Sequence, residues 1–349
     1  MRWTRSLIWA GGASVLGLGL AAADPPVPPG RQCGVSWVAG HRITALDIQP
    51  LVESHVDWIV QTPFGWQRSI DSPQIGLATK GGVLWGETDE GLAVTAKLAR
   101  DRGISTMLKP HVWITGGGWR GDIQMTDDAA WDEWFASYRR FILHYARFAK
   151  EHGIEALCIG TELRNCVRGH QDQWRRLIIE VRAVYEGTLT YAANWYEEFE
   201  EIDFWGELDY IGIQAYFPLC ERENPTIEAL LEGWREPLAK IERVRKKFAK
   251  PVIFTEVGYR SIAAAGSKPW QWPQRGEAVD VNLEVQSRCY EAFFQTFWDK
   301  PWVMGVYWWK WFPTDSRAGG PASTGFTPQN KPAQAVMARW FRGRAAGAP

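Results

Sequence analysis

Two glutamates, Glu162 and Glu256, follow two short apolar segments of similar form. Glu162 lies in the run of residues 156–163 (ALCIGTEL), and Glu256 lies in the run of residues 251–259 (PVIFTEVGY). Such runs are typical of strands that are buried on both faces of a parallel sheet. Two facing carboxylates suit glycoside hydrolysis, because one can protonate the departing sugar oxygen while the other attacks the anomeric carbon or activates water. The separation of the two carboxyl groups would decide between retention and inversion of configuration.

The spacing of the two glutamates indicates how they could come together. They are 94 positions apart. A (β/α)₈ barrel of roughly 250 residues uses about 31 residues for each strand–helix unit. Three units therefore separate the glutamates, which places them on strands n and n+3 of one barrel. The strand ends of such a barrel point to one face, and that face carries the active site.

The rest of the chain contains the elements that this barrel needs. We predict strands at residues 34–37, 58–62, 104–108, 156–160, 189–193, 210–214, 252–255 and 303–307. We predict helical segments at residues 45–55, 88–103, 127–152, 171–185, 197–205, 226–248, 283–298 and 333–341, with Thr44 as an N-cap. The glutamates then fall on strands four and seven. The alternation predicts a single α/β domain, a (β/α)₈ (TIM) barrel over residues 34–349 without additional strands. A doubly wound sheet is disfavoured, because the segment after strand one (GVSWVAGH) is not a glycine-rich phosphate loop.

Composition restricts the class of partner. The chain has 349 residues, of which 46% are hydrophobic and 23% are charged, and its net charge is −1. This charge gives no electrostatic reason to expect nucleic acid or an anionic membrane as a partner. The 22 tryptophans are enough to supply both core residues and flat stacking surfaces. We expect a monomer that needs no metal or organic cofactor.

The N-terminal residues have the pattern of an exported protein. Residues 1–23 combine two arginines, a small and apolar run, and a final Ala-Ala-Ala, which is the order of a secretory signal peptide. Residues 24–33 form a proline-rich spacer. We therefore expect a secreted or periplasmic protein that is free of the membrane after cleavage. Export permits disulfides, and Cys166 and Cys220 could form one, although five cysteines leave at least one thiol unpaired.

Several motifs at the predicted strand ends resemble those of a known enzyme family. They are KPHVW (109–113), GTEL (160–163), ANW (193–195), IQAYFPL (213–219), FTEVGY (254–259) and YWWKW (307–311). With these motifs the chain resembles the retaining glycosidases of clan A. Within that clan it is similar to glycoside hydrolase family 113, whose characterised members are endo-β-1,4-mannanases. The resemblance covers most of the chain and implies a polysaccharide or oligosaccharide substrate.

The resemblance implies roles for four residues. Glu162 matches the general acid/base and Glu256 matches the nucleophile. Tyr216 matches the tyrosine that donates a hydrogen bond to the nucleophile, and the alternative for it is a tyrosine of the cavity rim. Trp308 matches the aromatic floor under the sugar whose bond is cleaved. The alternative for Trp308 is a core position, because Trp308, Trp309 and Trp311 cannot all face the same way.

Further side chains at the strand ends are candidates for substrate binding. Lys109 and His111 are suited to hydrogen bonding with sugar hydroxyls, although His111 could also be a structural histidine. Trp113 lies in the same motif. Asn194 could reach a hydroxyl, and Trp195 could stack against a sugar ring.

The residue before Glu162 departs from the clan pattern. Many clan A enzymes have an asparagine there that binds the sugar 2-hydroxyl, and this chain has Thr161. That contact is therefore either absent or supplied by Asn194. Because mannose differs from glucose only at C2, the choice of sugar stays open.

Three other functions are alternatives to this one. A metal-dependent hydrolase is disfavoured, because only His111 among the six histidines stands at a strand end, and no His-x-His or Glu-x-x-His spacing occurs. A non-catalytic carbohydrate-binding barrel would be expected to lack one of the two carboxylates. A clan A glycosidase that acts on another β-glycan or a cell-envelope polymer is the third alternative.

Overall fold

The computed structural model describes residues 30–342, except residues 39, 81, 275, 277 and 314–317. The predicted signal peptide and residues 24–29 of the predicted spacer lie outside the described residues. The last two spacer residues belong to the first strand, which begins at Gln32. In the described part of the chain, no helix is both long and apolar enough to cross a membrane.

Eight parallel strands close into one barrel, which confirms the predicted fold. The strands of the described residues are β1 (Gln32–Trp37), β2 (Trp58–Gln61), β3 (Phe64–Gln67), β4 (Ile75–Leu77), β5 (Ser105–Leu108), β6 (His111–Ile114), β7 (Ala156–Thr161), β8 (Thr188–Asn194), β9 (Ile211–Gln214), β10 (Val252–Val257) and β11 (Val303–Trp311). The barrel consists of β1, β2, β5, β7, β8, β9, β10 and β11 in chain order, and β11 closes against β1. Strands β7 and β10 are therefore the fourth and seventh barrel strands, as predicted from the spacing of the glutamates.

Helices connect most of the barrel strands. They are α1 (Ala45–Glu53), α2 (Asp89–Arg100), α3 (Asp128–Glu151), α4 (Arg164–Val167), α5 (Gln171–Arg182), α6 (Ile227–Gly233), α7 (Arg235–Phe248), α8 (Leu283–Phe297) and α9 (Pro332–Arg342). Thr44 caps α1 as predicted, because its side chain accepts from the Leu46 amide and forms a capping box with Asp47. The predicted helix of residues 226–248 is two helices that meet at Trp234. Only a 3₁₀ turn (Phe204–Glu207) lies between β8 and β9.

Aromatic residues recur at steps of three and four along α3 and form a stripe on one face of the helix, which packs in the core. Trp134, Tyr138, Phe141 and Tyr145 are buried. The rings of Trp134 and Tyr138 are stacked, with centroids 4.9 Å apart, and the Tyr138 hydroxyl donates to the Ile159 carbonyl of β7. Aromatic pairs of this kind add about 0.5–1.5 kcal/mol to the burial of their area. The stripe therefore fixes α3 against the barrel strand that precedes Glu162.

A three-stranded side sheet corrects the prediction that the barrel has no additional strands. Its order is β4-β3-β6, with β3 parallel to β6 and antiparallel to β4. Strands β3 and β6 continue directly from the barrel strands β2 and β5, past Pro63 and Pro110. Because a proline lacks the amide of a strand ladder, each one indicates the end of a strand in the sequence. The side sheet matters for the site because β6 carries His111 and Trp113 above the barrel.

The cysteines do not form the suggested disulfide. Cys166 and Cys220 form no disulfide; the Cys166 side chain is buried and that of Cys220 is partly exposed. Cys166 lies in α4 directly after the first candidate glutamate. The proposed pairing of Cys166 with Cys220 is therefore wrong for this structure.

Candidate active site

A cavity of about 830 Å³ lies at the carboxyl ends of the barrel strands, and both candidate glutamates line it. Its other lining residues are Ser36, Trp37, Val38, Thr62, Phe64, Leu84, Glu87, His111, Trp113, Trp119, Arg120, Asn194, Trp195, Tyr196, Gln214, Tyr216, Trp270, Trp272, Trp309, Lys310 and Phe326. The size is that of a site that holds a ligand of several rings. Aromatic rings at the walls and carboxylates at the base suit a carbohydrate.

Both oxygens of the buried Glu256 carboxylate accept hydrogen bonds from the protein. The Tyr216 hydroxyl donates to Oε2 over 2.8 Å, as predicted for this tyrosine. The Lys109 ammonium donates to Oε1 in a buried ion pair. Burial and the neighbouring Glu256 carboxylate raise the pKa of Tyr216 well above its ordinary value, so the hydroxyl keeps its proton. The arrangement orients Glu256 from two sides.

Lys109 does not line the cavity, which corrects the prediction that it binds sugar hydroxyls. Its side chain is fully buried, and the ammonium also donates to Gln214 Oε1 at 3.1 Å and to the Thr255 carbonyl at 3.3 Å. An ammonium group has three donors, and the protein occupies all three. Lys109 therefore lies beneath the cavity and holds Glu256.

Glu162 lies directly after β7 with an unusual backbone conformation. Its φ is +51°, a left-handed value that costs a non-glycine residue of order 1–3 kcal/mol. The Asn194 side-chain amide donates to Oε1 at 3.0 Å, and the Trp119 indole donates to Oε2 at 3.3 Å. Both donors are neutral groups, which distinguishes the surroundings of Glu162 from those of Glu256.

Thr161 stands where many clan A enzymes have an asparagine, and in this structure Asn194 places an amide beside Glu162. The Thr161 side chain is buried below the cavity, with its hydroxyl 3.5 Å from the Pro110 carbonyl. Asn194, at the end of β8, lines the cavity and supplies the amide next to Glu162. Its carbonyl oxygen accepts from the Tyr196 backbone amide at 2.8 Å, which fixes the orientation of the side chain.

His111 is a neutral hydrogen-bond donor at the cavity. Arg120 lies 2.8 Å from its Nδ1, and because a guanidinium can only donate, Nδ1 accepts and Nε2 carries the proton. Burial, followed by the charges of Arg120 and Lys109, lowers the pKa of His111 well below its ordinary value. Nε2 has no hydrogen-bond partner in the described structure and lies 4.0 Å from Glu256 Oε1. A sugar hydroxyl near Nε2 would give this nitrogen a hydrogen-bond acceptor.

Trp308 is not at the cavity, which corrects the prediction that it forms the floor under the sugar. Its indole is fully buried on the outside of the barrel and stacks on Tyr290 of α8, with ring centroids 3.6 Å apart. Side chains alternate across a strand, so the next residue, Trp309, faces the cavity. Of these two tryptophans, Trp309 is therefore the one that lines the cavity.

The other two tryptophans that were predicted to bind substrate, Trp113 and Trp195, line the cavity. Trp113 is 50% exposed on β6, and Trp195 follows Asn194. Trp270, whose ring lies 5.2 Å from that of Trp195, was not among the predicted site residues. Trp119 and Arg120 were also missed, although the loop TGGGWRGD that carries them follows a predicted strand end.

Comparison with known families then decides the class of protein. The model of glycoside hydrolase family 113 matches residues 40–341. The chain belongs to glycoside hydrolase family 113. It is therefore a glycoside hydrolase, and its substrate is a carbohydrate.

Solved structures of the same family resemble this one over nearly their whole length. The GH113 β-mannanase AaManA from Alicyclobacillus acidocaldarius, in complex with ManMIm, is 29% identical, with a TM-score of 0.79 over 91% of this chain and 99% of its own. A second GH113 β-1,4-mannanase is 25% identical, with a TM-score of 0.76 over 90% of this chain and 100% of its own. A β-glucuronidase from Ruminococcus gnavus shares the fold at 14% identity, with a TM-score of 0.60 over 89% of this chain and 50% of its own. Curated protein sequences gave no match.

The Lys109–Glu256 pair of this family 113 hydrolase predicts a stability effect. Lys109→Met leaves the Glu256 carboxylate buried without its cation, which should lower the free energy of unfolding by about 3–5 kcal/mol. Adding Glu256→Gln to Lys109→Met should restore part of the loss. Urea denaturation checks both. Lys97→Met is the control, since it breaks an exposed ion pair with Asp101 worth only about 0–1 kcal/mol. Equal losses in the Lys97 and Lys109 variants would contradict the account.

We expect replacement of Trp308 to lower stability and replacement of Trp309, its neighbour in β11, to weaken substrate binding. Trp308→Ala removes a fully buried indole and should lower the free energy of unfolding by about 3–5 kcal/mol. Trp309→Ala removes a ring at the cavity and should raise KM on the order of 10-fold with little change in melting temperature. Thermal unfolding and steady-state kinetics on the same two variants check the assignment. A raised KM in Trp308→Ala, together with a loss of stability in Trp309→Ala, would show that Trp308 is the residue at the site.

The buried carboxyl of Glu198 predicts a pH dependence of stability. Burial raises its pKa to about 8, against 4.5 for an ordinary glutamate. The folded state therefore binds this proton more tightly than the unfolded state, so stability falls as pH rises from about 4.5 to 8. Between pH 5 and pH 9, wild type should lose stability relative to Glu198→Gln, on the order of a few kcal/mol. Chemical denaturation at both pH values measures this, and Glu53→Gln, at an exposed residue, should show no such trend.

Proposed function

We propose that this glycoside hydrolase is a retaining endo-β-1,4-mannanase with Glu256 as nucleophile and Glu162 as general acid/base. The observation that carries the assignment of roles is the difference between their partners. Lys109 and Tyr216 each donate a hydrogen bond to one oxygen of Glu256. These two bonds hold the carboxylate in one orientation. The described hydrogen bonds to Glu162 come from neutral groups, the Trp119 indole and the Asn194 amide, and this difference from Glu256 supports separate roles for the two glutamates.

The first half of the reaction forms a covalent intermediate. A Glu256 oxygen attacks the anomeric carbon and the bond to the leaving-group oxygen breaks. Glu162 gives its proton to that oxygen, so the leaving sugar departs as a neutral alcohol. Tyr216 keeps its hydrogen bond to the other Glu256 oxygen while negative charge leaves the carboxylate.

The second half releases the sugar. Glu162, now a carboxylate, takes a proton from a water molecule, and the water oxygen attacks the anomeric carbon. The bond to Glu256 breaks and its carboxylate returns to Lys109 and Tyr216. Because both displacements invert the anomeric carbon, the product keeps the β configuration.

Two features support a mannan substrate. Both family 113 structures described above are those of β-mannanases, and the motif resemblance is to endo-acting members. Asn194 stands where an amide could contact the sugar 2-hydroxyl in place of the asparagine that Thr161 replaces. The donor Nε2–H of His111 and the face of Trp309 are available to the same sugar ring.

Hydrolysis of a polysaccharide panel tests the substrate. The panel contains mannan, glucomannan, cellulose and xylan, each incubated with the wild type and with Glu256→Ala. We expect cleavage of mannan and glucomannan to shortened oligosaccharides by the wild type only. Cleavage of another β-glycan alone would reject the mannanase assignment and retain the chemistry, and release of single sugars alone would reject endo action.

We also propose that the enzyme is secreted or periplasmic. The support is the order of charged, apolar and small residues in residues 1–23. Expression of the full chain, followed by N-terminal sequencing of the exported protein, should give Asp24 as the first residue. An unprocessed protein retained inside the cell would contradict export.

A further inference from the structure

A buried hydrogen-bond network lies behind Glu162, with the Glu198 carboxyl at its centre. Glu198 is 1% exposed. Its Oε1 lies 2.5 Å from the Tyr191 hydroxyl, which donates to it. Its Oε2 accepts from the backbone amide of Asn194 at 2.6 Å. Tyr191 and Asn194 both belong to β8, so Glu198 bridges two points of the strand next to β7.

The two partners of Glu198 each reach the candidate acid/base. The Tyr191 hydroxyl accepts from the backbone amide of Leu163 at 2.9 Å, and Leu163 directly follows Glu162. Asn194 donates its side-chain amide to Glu162 Oε1. Glu198 is therefore linked to Glu162 by two routes, one to the adjacent backbone and one to the carboxylate itself.

The backbone of Glu162 needs this support. A glutamate at a φ of +51° is held there only when its surroundings over-determine it. The Glu162 amide donates to the Ala192 carbonyl of β8 at 2.9 Å, and the Leu163 amide is fixed by Tyr191. Without an acceptor at position 198, the buried Asn194 amide and Tyr191 hydroxyl would both lose a partner, and such groups rearrange to find another.

We infer that Glu198, with Tyr191, is a positioning residue for the general acid/base Glu162. The inference rests on the proposed function, because it takes the acid/base role of Glu162 as given. Glu198 lines no part of the cavity and acts through Asn194 and Tyr191. Residues that orient metal ligands from behind typically contribute about 10–100-fold to activity, and we expect an effect of the same order here.

The test compares substrates that differ in their need for an acid. Mannotetraose has a sugar leaving group that must be protonated, whereas 2,4-dinitrophenyl β-mannobioside has a leaving group that departs without a proton. For Glu198→Met and Tyr191→Phe, we expect kcat/KM to fall about 10–100-fold for mannotetraose and less than about 3-fold for the aryl substrate. Two different residues of the network are replaced, so that a folding failure of one variant does not decide the test.

Leu189→Ala is the matched structural control. Leu189 is a fully buried residue of β8 without a link to Glu162 in the network, so any loss of activity should be equal for the two substrates. Equal losses in the Glu198 and Tyr191 variants, or no loss for mannotetraose, would overturn the inference. Glu162→Ala separates the two claims: if it loses both substrates equally, the proposed acid role fails, and if it alone discriminates between them, only the role of Glu198 fails.

Discussion

Replacement of Glu256 by glutamine should lower kcat on the order of 10⁴-fold or more. The amide cannot attack the anomeric carbon, so the covalent intermediate does not form. The variant should remain folded, because Lys109 keeps Gln214 and the Thr255 carbonyl as acceptors and Tyr216 can donate to the amide oxygen. Steady-state hydrolysis of mannotetraose, with circular dichroism of the same sample, measures both properties.

An external nucleophile provides the control for this variant. Glu256→Ala leaves space beside the anomeric carbon, and azide should attack an activated 2,4-dinitrophenyl β-mannobioside there in one displacement. The product should be the α-glycosyl azide, whose configuration is inverted. Retention of more than a few per cent of activity in Glu256→Gln, or a β-azide from Glu256→Ala, would assign the nucleophile to another residue.

Replacement of Glu162 by alanine should give a loss that depends on the leaving group. For mannotetraose, kcat/KM should fall about 10²–10⁴-fold, the usual contribution of a general acid. For the 2,4-dinitrophenyl glycoside, kcat/KM should fall less than about 10-fold, because dinitrophenolate leaves without a proton. Initial rates on both substrates with the same enzyme preparation give the ratio directly.

Azide should also restore turnover to Glu162→Ala, with the opposite stereochemistry. Without a general base, the glycosyl–enzyme accumulates, and azide attacks it without needing a base. The product should be the β-glycosyl azide. An equal fall in kcat/KM for the two substrates would show that Glu162 supports binding or structure and not proton transfer.

The barrel and its two glutamates could be predicted because both depend on regular features of the sequence. Short apolar runs recur at the interval of one strand–helix unit, and 94 residues between Glu162 and Glu256 correspond to three units. The structure has β7 and β10 at these positions. The side sheet was missed because Pro63 and Pro110 interrupt the runs that continue into β3 and β6.

The errors at single residues arose where long-range contacts decide the orientation. Lys109 stands at a strand end and looks like a ligand for sugar, but its partner Glu256 is 147 residues further along the chain. Trp308 and Trp309 are adjacent and chemically identical, so only the phase of β11 in the closed barrel separates core from cavity. Glu198 lies in an irregular acidic segment whose sequence does not reveal a buried carboxyl.

Covalent trapping of the nucleophile tests the central claim most directly. A 2-deoxy-2-fluoro β-mannobiosyl fluoride should form the glycosyl–enzyme rapidly and release it slowly, because the fluorine at C2 destabilises both transition states and the fluoride leaves easily. Mass spectrometry of the intact enzyme, followed by peptic peptides, should find one added disaccharide on the peptide that contains Glu256. Labelling of another residue, or turnover of the reagent to an inverted product without any labelled enzyme, would contradict a retaining mechanism through Glu256.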